Sequence, residues 1–319
     1  NGQNFAATTS AYTCPNAVPV PGPNGCVQDP QCGAGFPDQE HIAVDRTNQA
    51  PGGDQIYSAW RSLWNNVGVG LVCSQNNGAN WTNAIFTLGD FPRIAAGQDG
   101  RVYVVYRQGN NIMLWRLSSC ATGLVPSAPV AVVTSNPQVP CPVPGLNRCN
   151  DGNNLSSPTV AVDDTNANHI FVSYAVNTGA NNENVMIQDS VNGGANWGSC
   201  RSACGFPLPG DSLNACTPGG AACPVAGESC CPNTAQVSSG DLARRFMPWV
   251  CSVGGTAYTG WYDRRNATPA DNSLTDYFSG SAQRDGFVIS PGNEIQYTPV
   301  SDSHCGPPST NWAGSSPRS

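Results

Sequence analysis

Two pairs of adjacent arginines are the residues whose types and spacing are best suited to chemistry. Arg244 precedes Arg245 and Arg264 precedes Arg265, and the acidic and phenolic side chains around them are Asp241, Tyr262, Asp263, Asp271 and Asp276. A guanidinium group presents its N–H donors as a planar fork that matches a carboxylate, so these arginines could hold an acidic ligand. They could instead pair with the nearby aspartates and brace a sheet, which is the interpretation that the sequence favours.

A second group of polar residues offers oxygen atoms in a short turn. Asp163, Asp164, Asn166 and Asn168 follow one another between two apolar segments. Carboxylate and amide oxygens are the ligands that Ca²⁺ prefers. Asp and Asn also form turns by bonding their own backbone, so a calcium site and a simple turn both remain open. The three histidines are scattered and no paired Cys-x-x-Cys spacing occurs, so we expect no other metal site and no other cofactor.

Fifteen cysteines indicate a disulfide framework formed in an oxidising compartment. We therefore expect a secreted or cell-surface protein. The disulfide candidates in the proline-rich start and in two loop insertions are Cys14, Cys26, Cys32, Cys120, Cys141, Cys149, Cys200, Cys204, Cys216, Cys223, Cys230 and Cys231. An odd count leaves one thiol free, or paired with another chain or with a segment outside this one.

Composition excludes several classes of partner. The net charge is −7, and all fourteen basic residues are arginine, which argues against nucleic acid and anionic membrane surfaces. No apolar stretch is long enough to span a bilayer. The first residues lack the basic and apolar regions of a signal peptide, so we expect the numbering to begin at a mature N-terminus or at the edge of an expressed fragment.

The elements that must position these side chains are short antiparallel strands. Gly (35) and Pro (27) are abundant and no long segment has apolar residues at helical spacing, which predicts very little helix. An alternating hairpin recurs four times, with first strands starting at His41, Arg93, Thr159 and Met247. We expect a cysteine-stapled arm at 1–38, a repeat domain at 39–300 with cysteine-rich insertions at 118–157 and 198–238, and a Ser/Pro/Gly-rich tail at 301–319.

One phrase, Ser-x-Asn-x-Gly-Ala-Asn-Trp, occurs twice, at residues 74–81 and 190–197. It resembles the Asp-box, or bacterial neuraminidase repeat, with Asn where that family usually carries Asp. The resemblance implies an all-β fold, a β-propeller of four-stranded antiparallel blades, with each box forming a hairpin between a blade's outer two strands. The residues that would hold the turns are Ser74, Asn76, Gly78, Trp81, Ser190, Asn192, Gly194 and Trp197. Four blades are recognisable, and the ends of the chain, a missing part or a neighbouring chain could supply more.

The resemblance to sialidase-like propellers also implies a candidate catalytic set. Sialidases hold the substrate carboxylate with arginines and use a Tyr nucleophile and an Asp acid/base, as exceptions to the two-carboxylate rule. The positions similar to these parts are Arg93, within the segment Phe91–Ala95, and Arg245, Arg264, Tyr262 and Asp263. None of these matches is specific.

Three classes of function follow from these observations. The chain could bind a glycan or protein, or it could assemble with copies of itself through its arm or an open sheet edge. The alternative is a sialidase-type exo-glycosidase. Because the catalytic set is incomplete, we expect a non-catalytic binding or structural role.

Overall fold

The computed structural model describes ten segments of the 319-residue chain: residues 37–50, 53–62, 68–139, 157–177, 183–195, 197, 245–264, 274–283, 290–294 and 302–304. Several sequence predictions lie outside these residues, namely most of the arm, the whole 198–238 insertion, Arg244, Arg265, Asp241, Asp271 and every disulfide candidate except Cys120. The described residues contain no α-helix, as the composition predicted. Their one helix is the 3₁₀ turn Cys120–Thr122, so none is long and apolar enough to cross a membrane.

The fold is all-β, with four antiparallel sheets that follow one another along the chain. The strands of the first two sheets are β1 Pro37–Ala50, β2 Gly53–Ser62, β3 Gly68–Ser74 and β4 Ile85–Thr87, then β5 Asp90–Ala96, β6 Val102–Gln108, β7 Asn111–Leu117 and β8 Val130–Val133. Those of the last two are β9 Thr159–Val162, β10 Ile170–Asn177 and β11 Glu183–Ser190, then β12 Arg245–Val253, β13 Thr256–Asp263, β14 Leu274–Gln283, β15 Ser290–Glu294 and β16 Asp302–His304.

The number of strands differs from the predicted four in two of the sheets. The third sheet has three strands among the described residues, which do not include 198–244. The fourth sheet has five, because β16 pairs with the start of β14 while β15 pairs with its later part. Strand β16 lies in the segment that we expected to be coil, and β8 lies in the first predicted insertion.

The chain divides into two compact units. Unit 1 comprises Asn1–Gly109 and Trp115–Pro129, and unit 2 comprises Asn110–Leu114 and Val130–Ser319. In unit 1, strands β1 and β2 pack on β5 around a buried core. In unit 2, strands β9, β10 and β11 pack on β12, where Phe171, Ile187 and Ala257 form one buried cluster and Val185 packs on Trp261 in another.

A disulfide joins Cys73 to Cys120 in unit 1, across 47 positions of sequence. Cys120 was among the predicted disulfide candidates and Cys73 was not, because Cys73 lies in an ordinary apolar strand rather than in a loop insertion. The Tyr57 hydroxyl accepts a hydrogen bond from the Cys120 backbone N–H at 3.1 Å. Burial raises the pKa of Tyr57 to about 12. Its neutral phenol also donates to Gln55 Oε1 at 3.1 Å, so the segment around Cys120 is fixed on β2.

The same β-bulge occurs in the first strand of three sheets. Pairing with the second strand shifts between Asp38 and His41 in β1, between Asp90 and Arg93 in β5, and between Phe246 and Trp249 in β12. The residue after the first of each pair has a left-handed backbone: Gln39 (φ 58°), Phe91 (φ 56°) and Met247 (φ 50°). In β5 and β12 a proline follows, which a bulge tolerates because its backbone N–H need not join the ladder.

The two copies of the repeated phrase fold into similar turns. In the first, the Ser74 hydroxyl donates to Asn76 Oδ1 and accepts from the Gly78 N–H, both at 2.9 Å. In the second, Ser190 makes the same two bonds with Asn192 Oδ1 and the Gly194 N–H, also at 2.9 Å.

The first turn connects β3 to β4, the last two strands of its sheet. Both tryptophans of the phrase, Trp81 and Trp197, are half-buried. A buried indole N–H usually finds a hydrogen-bond acceptor, but in the described part of the chain neither of these two does.

Candidate functional site

Unit 1 brings charged side chains together at the strand ends beside its two bulges. Asp38 pairs in register with Arg61, and Asp90 pairs with Arg107, so each bulged first strand places a carboxylate opposite an arginine. Arg61 Nε also lies 3.2 Å from Asp90 Oδ1, which links the first sheet to the second. We call Arg61, Asp90 and Arg107 the Asp90 cluster.

The Asp90 cluster has a perturbed carboxyl group. Burial raises the pKa of Asp90, and Arg61, the Phe91 N–H and Arg107 offset this only in part. Burial lowers the pKa of Arg107 to about 10, against the opposing effect of Asp90. Such a combination of burial and specific charge partners is typical of functional sites, although structural ion pairs can produce it too.

Arg61 is the accessible member of the cluster. Its side chain keeps about a third of its surface, 30%, and its guanidinium carbon lies 6.0 Å from the Phe91 ring centroid. The contact with Asp90 uses Nε, which is one of the three nitrogens of the guanidinium group. An arginine held from one side in this way can present the rest of its donors to a ligand.

Arg93, the predicted first arginine of a sialidase-like set, lies beside this cluster. It donates to the Pro92 carbonyl at 2.8 Å, and burial lowers its pKa. The neighbouring His41 accepts a hydrogen bond from the Ile94 N–H through Nδ1 at 3.1 Å. Burial, together with the Arg93 charge, lowers the pKa of His41 to about 4, so this imidazole is neutral and acts as a structural acceptor.

In unit 2, two of the predicted site residues form an ion pair that is fully buried. Arg245 Nε donates to Asp263 Oδ2 at 2.9 Å, and both side chains are 0% exposed. The Trp261 indole N–H donates to the same Asp263 oxygen at 3.1 Å. Arg245 also contacts the backbone carbonyl of Glu183 at 3.5 Å, so it links the fourth sheet to the third.

The other predicted residues of unit 2 that the structure describes lie in or next to the same sheet as this pair. The Tyr262 ring stacks on Phe246 with centroids 5.6 Å apart and meets the edge of Tyr277 at 5.4 Å. Arg264 is buried, and Asp276 is buried opposite Asp263 in the register of β13 and β14. The geometry fits the bracing interpretation, because no member of the pair contacts solvent.

The candidate calcium turn is held by hydrogen bonds within the protein. Asp163 Oδ1 accepts from the backbone N–H and the hydroxyl of Thr165, at 2.8 and 2.7 Å. Burial raises the pKa of Asp163, but these bonds and His169 outweigh it and hold the pKa below its ordinary value. Asn166 Oδ1 accepts from the Asn168 N–H at 3.0 Å.

His169 continues this network. Its ring lies between two carboxylates, with Nδ1 at 3.0 Å from Asp163 Oδ2 and Nε2 at 3.0 Å from Asp189 Oδ2. Asp164 Oδ1 accepts from the Gly254 N–H at 2.6 Å, which ties the β9–β10 turn to the β12–β13 turn. Within the described segments no three His, Cys, Asp or Glu side chains form a metal-binding group.

The residues predicted from the sequence include Arg93, Arg245 and Asp263 but not Arg61, Asp90 or Arg107. The available signal was Asp90, next to the Phe91-Pro92 bulge in the segment that was already compared with sialidases. Arg93 lies in unit 1 and the other sialidase-like candidates lie in unit 2.

Comparison with known proteins gives only distant structural similarity. No family profile and no curated protein matches the sequence. An α-L-arabinofuranosidase of Fusarium graminearum is similar at 12% identity, over 84% of this chain and 67% of that one, with a TM-score of 0.46. A protein of unknown function from Dyadobacter fermentans has 10% identity over 82% and 70%, also at 0.46. A leech intramolecular trans-sialidase has 13% identity over 70% and 28%, at 0.39. We base no functional argument on similarities this low.

Proposed function

We propose that the four sheets are blades of a β-propeller. Within each sheet, neighbouring strands are antiparallel, and all of them except β16, which pairs with β14, follow chain order as in an up-and-down blade. Three sheets begin with the same bulged strand, and the repeated turn follows the third strand of the first and third sheets. This recurrence supports one structural unit used four times with loop insertions.

The function that the geometry supports best is extracellular binding without catalysis, of a glycan, a protein or a copy of the chain itself. The observation that carries this proposal is the Arg245–Asp263 pair, in which both partners are fully buried and neutralise each other. Catalytic groups must reach the reacting atoms of a substrate. A sealed pair that links two sheets instead stabilises the scaffold on which binding loops are displayed.

The proposed location is outside the cell. The buried Cys73–Cys120 disulfide and the high cysteine content suit an oxidising compartment. The net charge of −7 makes nucleic acid and anionic membranes poor partners. The proposal needs no cofactor. Calcium at the Asp163 turn stays a separate hypothesis, which a calcium-dependent rise in melting temperature would support.

The test combines binding and turnover on the same purified protein. We expect retention of the fluorescently labelled chain on a glycan array, or a mass in solution above that of one chain, and no hydrolysis of fluorogenic sialosides or arabinosides. Hydrolysis that Arg245→Met abolishes while the fold is retained would overturn the proposal. A monomer that binds nothing would overturn it as well.

A second candidate function, an exo-glycosidase, is favoured by the Asp90 cluster. Burial raises the pKa of Asp90, and a raised pKa increases the fraction of a carboxyl group that is protonated, as a general acid requires. Arg61 beside it has donors available for a substrate. This candidate places the chemistry in unit 1, which contains Arg93 but none of Tyr262, Asp263, Arg245 and Arg264.

The chain offers a matched control for this second candidate. Arg101 resembles Arg61 in three respects: it pairs with an aspartate, Asp99, it keeps 35% of its side-chain surface, and it lies 5.9 Å from an aromatic centroid. If the cluster is catalytic, Arg61→Ala and Asp90→Asn should lower turnover of a fluorogenic glycoside at least tenfold, while Arg101→Ala and Asp99→Asn leave it unchanged. Equal effects of the two pairs would refute the glycosidase.

A further inference from the structure

One face of the β12–β13 hairpin carries exposed apolar side chains. The solvent-exposed fractions are 42% for Trp249, 60% for Val253 and 47% for Tyr258. The register pairs Cys251 with Tyr258 and Trp249 with Gly260, and paired residues project from the same side of a sheet. These side chains therefore form one surface, which we call the Cys251 face.

The opposite side of the same hairpin is covered within unit 2. Val250 and Ala257 pack on Phe171 and Ile187 of the third sheet, so the hairpin is anchored by that side. On the Cys251 face, a side chain at Gly260 would collide with the Tyr277 hydroxyl, which shows that the Tyr277 ring lies over Gly260 on this side. The exposed surface is thus aromatic and aliphatic, and it belongs to a well-anchored hairpin.

A free, exposed thiol lies in the middle of this face. Among the described cysteines, Cys73 and Cys120 are bonded to each other and Cys251 is free. The fifteen cysteines of the sequence cannot all pair within one chain. A thiol surrounded by Trp249, Val253 and Tyr258 would be shielded from water if a second apolar surface covered it.

The size of the face decides what kind of contact it can make. The exposed parts of the three apolar side chains amount to roughly 300 Å², taking about 150–250 Å² for each whole side chain. A stable dimer needs about 800 Å² from each partner. The face alone would therefore give only weak association, and a covalent bond across it would supply what the area lacks.

We propose that the occupant of the Cys251 face is the same face of a second copy, joined to it by a Cys251–Cys251 disulfide. A twofold axis through the bond lets each copy present identical residues to the other. A disulfide can bridge two facing sheets with a tryptophan packed beside it, as immunoglobulin domains show. The contact involves no charged side chain of the face, so it brings no unpaired charge into the interface.

The bond forms by thiol–disulfide exchange with a small-molecule disulfide of the secretory environment. One Cys251 thiolate attacks this oxidant, forms a mixed disulfide and releases one small thiol. The Cys251 thiolate of the second copy then displaces the other small thiol. Two protein thiols are oxidised to one disulfide, and the oxidant is reduced to two thiols.

The test uses the full chain, purified without reductant and alkylated before denaturation. We expect a band on a non-reducing gel at twice the 33.2 kDa of one chain, which reductant converts to monomer. Peptide mapping should show the Cys251–Cys251 link, and Cys251→Ser should be monomeric. A monomeric wild type, or a link through another cysteine, would overturn the proposal. So would a monomer whose Cys251 resists alkylation, because another part of the polypeptide would then cover the face.

A matched pair of variants separates a built interface from oxidation of an exposed thiol. Val253 and Val125 are exposed to similar extents, 60% and 62%, but Val125 lies in unit 1. Val253→Asp should lower the dimer fraction at least tenfold with the thiol still present, and Val125→Asp should leave it unchanged. Equal dimer fractions would mean that the face plays no part. Failure of this inference would leave the non-catalytic proposal standing, since that rests on the Arg245–Asp263 pair.

Discussion

At the scale of single residues, the Arg245–Asp263 pair should be structural, and its energetics can be measured. Arg245→Met should lower the free energy of unfolding by about 3–5 kcal/mol, because Asp263 is left charged and buried. Adding Asp263→Leu should restore most of the loss, since an apolar pair replaces the ion pair. The remaining deficit should be about 1–3 kcal/mol, because the Trp261 N–H loses its acceptor. A double-mutant cycle by urea unfolding measures these terms.

The exposed Arg101–Asp99 pair serves as the control for that cycle. About a third of each side chain's surface is exposed to solvent. Removing either side chain should therefore change the free energy of unfolding by less than about 1 kcal/mol. If Arg245→Met is as mild as Arg101→Met, the buried pair does not brace the sheets. Arg245 would then no longer be assigned a structural role in preference to a catalytic one.

His41 should make the protein less stable in mild acid. Its folded-state pKa is about 4, whereas a histidine in an unfolded chain ionises near about 6.5. Between these values the unfolded chain binds more protons, so stability is complete above about pH 6.5 and falls as the pH drops towards 4. The loss should be of the order of 2 kcal/mol at pH 4. Urea unfolding from pH 4 to 7.5 measures it.

The matched variant for this prediction is His41→Gln. Its side-chain oxygen can still accept the Ile94 N–H, but it cannot take up a proton in this range. Carboxylates destabilise both proteins in acid, so the difference between the two stability curves isolates the histidine. Parallel curves would show that His41 ionises in the folded state much as it does in a free chain.

At the scale of elements, the two repeated turns should depend on one amide oxygen. Asn76 Oδ1 accepts from the Ser74 hydroxyl and, at 2.8 Å, from the Asn80 N–H. Asn76→Ala should cost about 1–2 kcal/mol of unfolding free energy, as the loss of a capping side chain does. Asn76→Asp keeps both acceptor bonds and should cost less than about 0.5 kcal/mol.

Asn83 provides a comparison in the same segment, because it is exposed just beyond the turn. Asn83→Ala should leave the unfolding free energy unchanged. A large loss in Asn76→Asp would mean that the amide nitrogen, rather than the oxygen, is the important atom. Both outcomes are read from urea unfolding curves.

Local patterns predicted the elements better than the features that link them. The repeated phrase identified both turns, because the Ser and Asn side chains that form their hydrogen bonds lie within a few residues of one another. The bulges at Phe91 and Met247 were missed, since apolar alternation does not reveal a shift in the pairing of two strands. The Cys73–Cys120 bond and the Arg61–Asp90 contact were missed for a related reason. Both join segments that are distant in sequence, and spacing alone does not determine such pairs.

At the scale of the whole molecule, the net charge of −7 opposes contact between two copies. None of the side chains that define the Cys251 face is charged, so none can offset this repulsion. Salt should therefore change the association of two copies only by screening the repulsion between their net charges. Salt screens the repulsion over about 8 Å at physiological ionic strength. The rate of disulfide dimer formation should therefore rise between 10 and 500 mM NaCl, as followed on non-reducing gels with Cys251→Ser as the blank. A rate that falls with salt would indicate an interface built from opposite charges, which must then lie elsewhere on the surface.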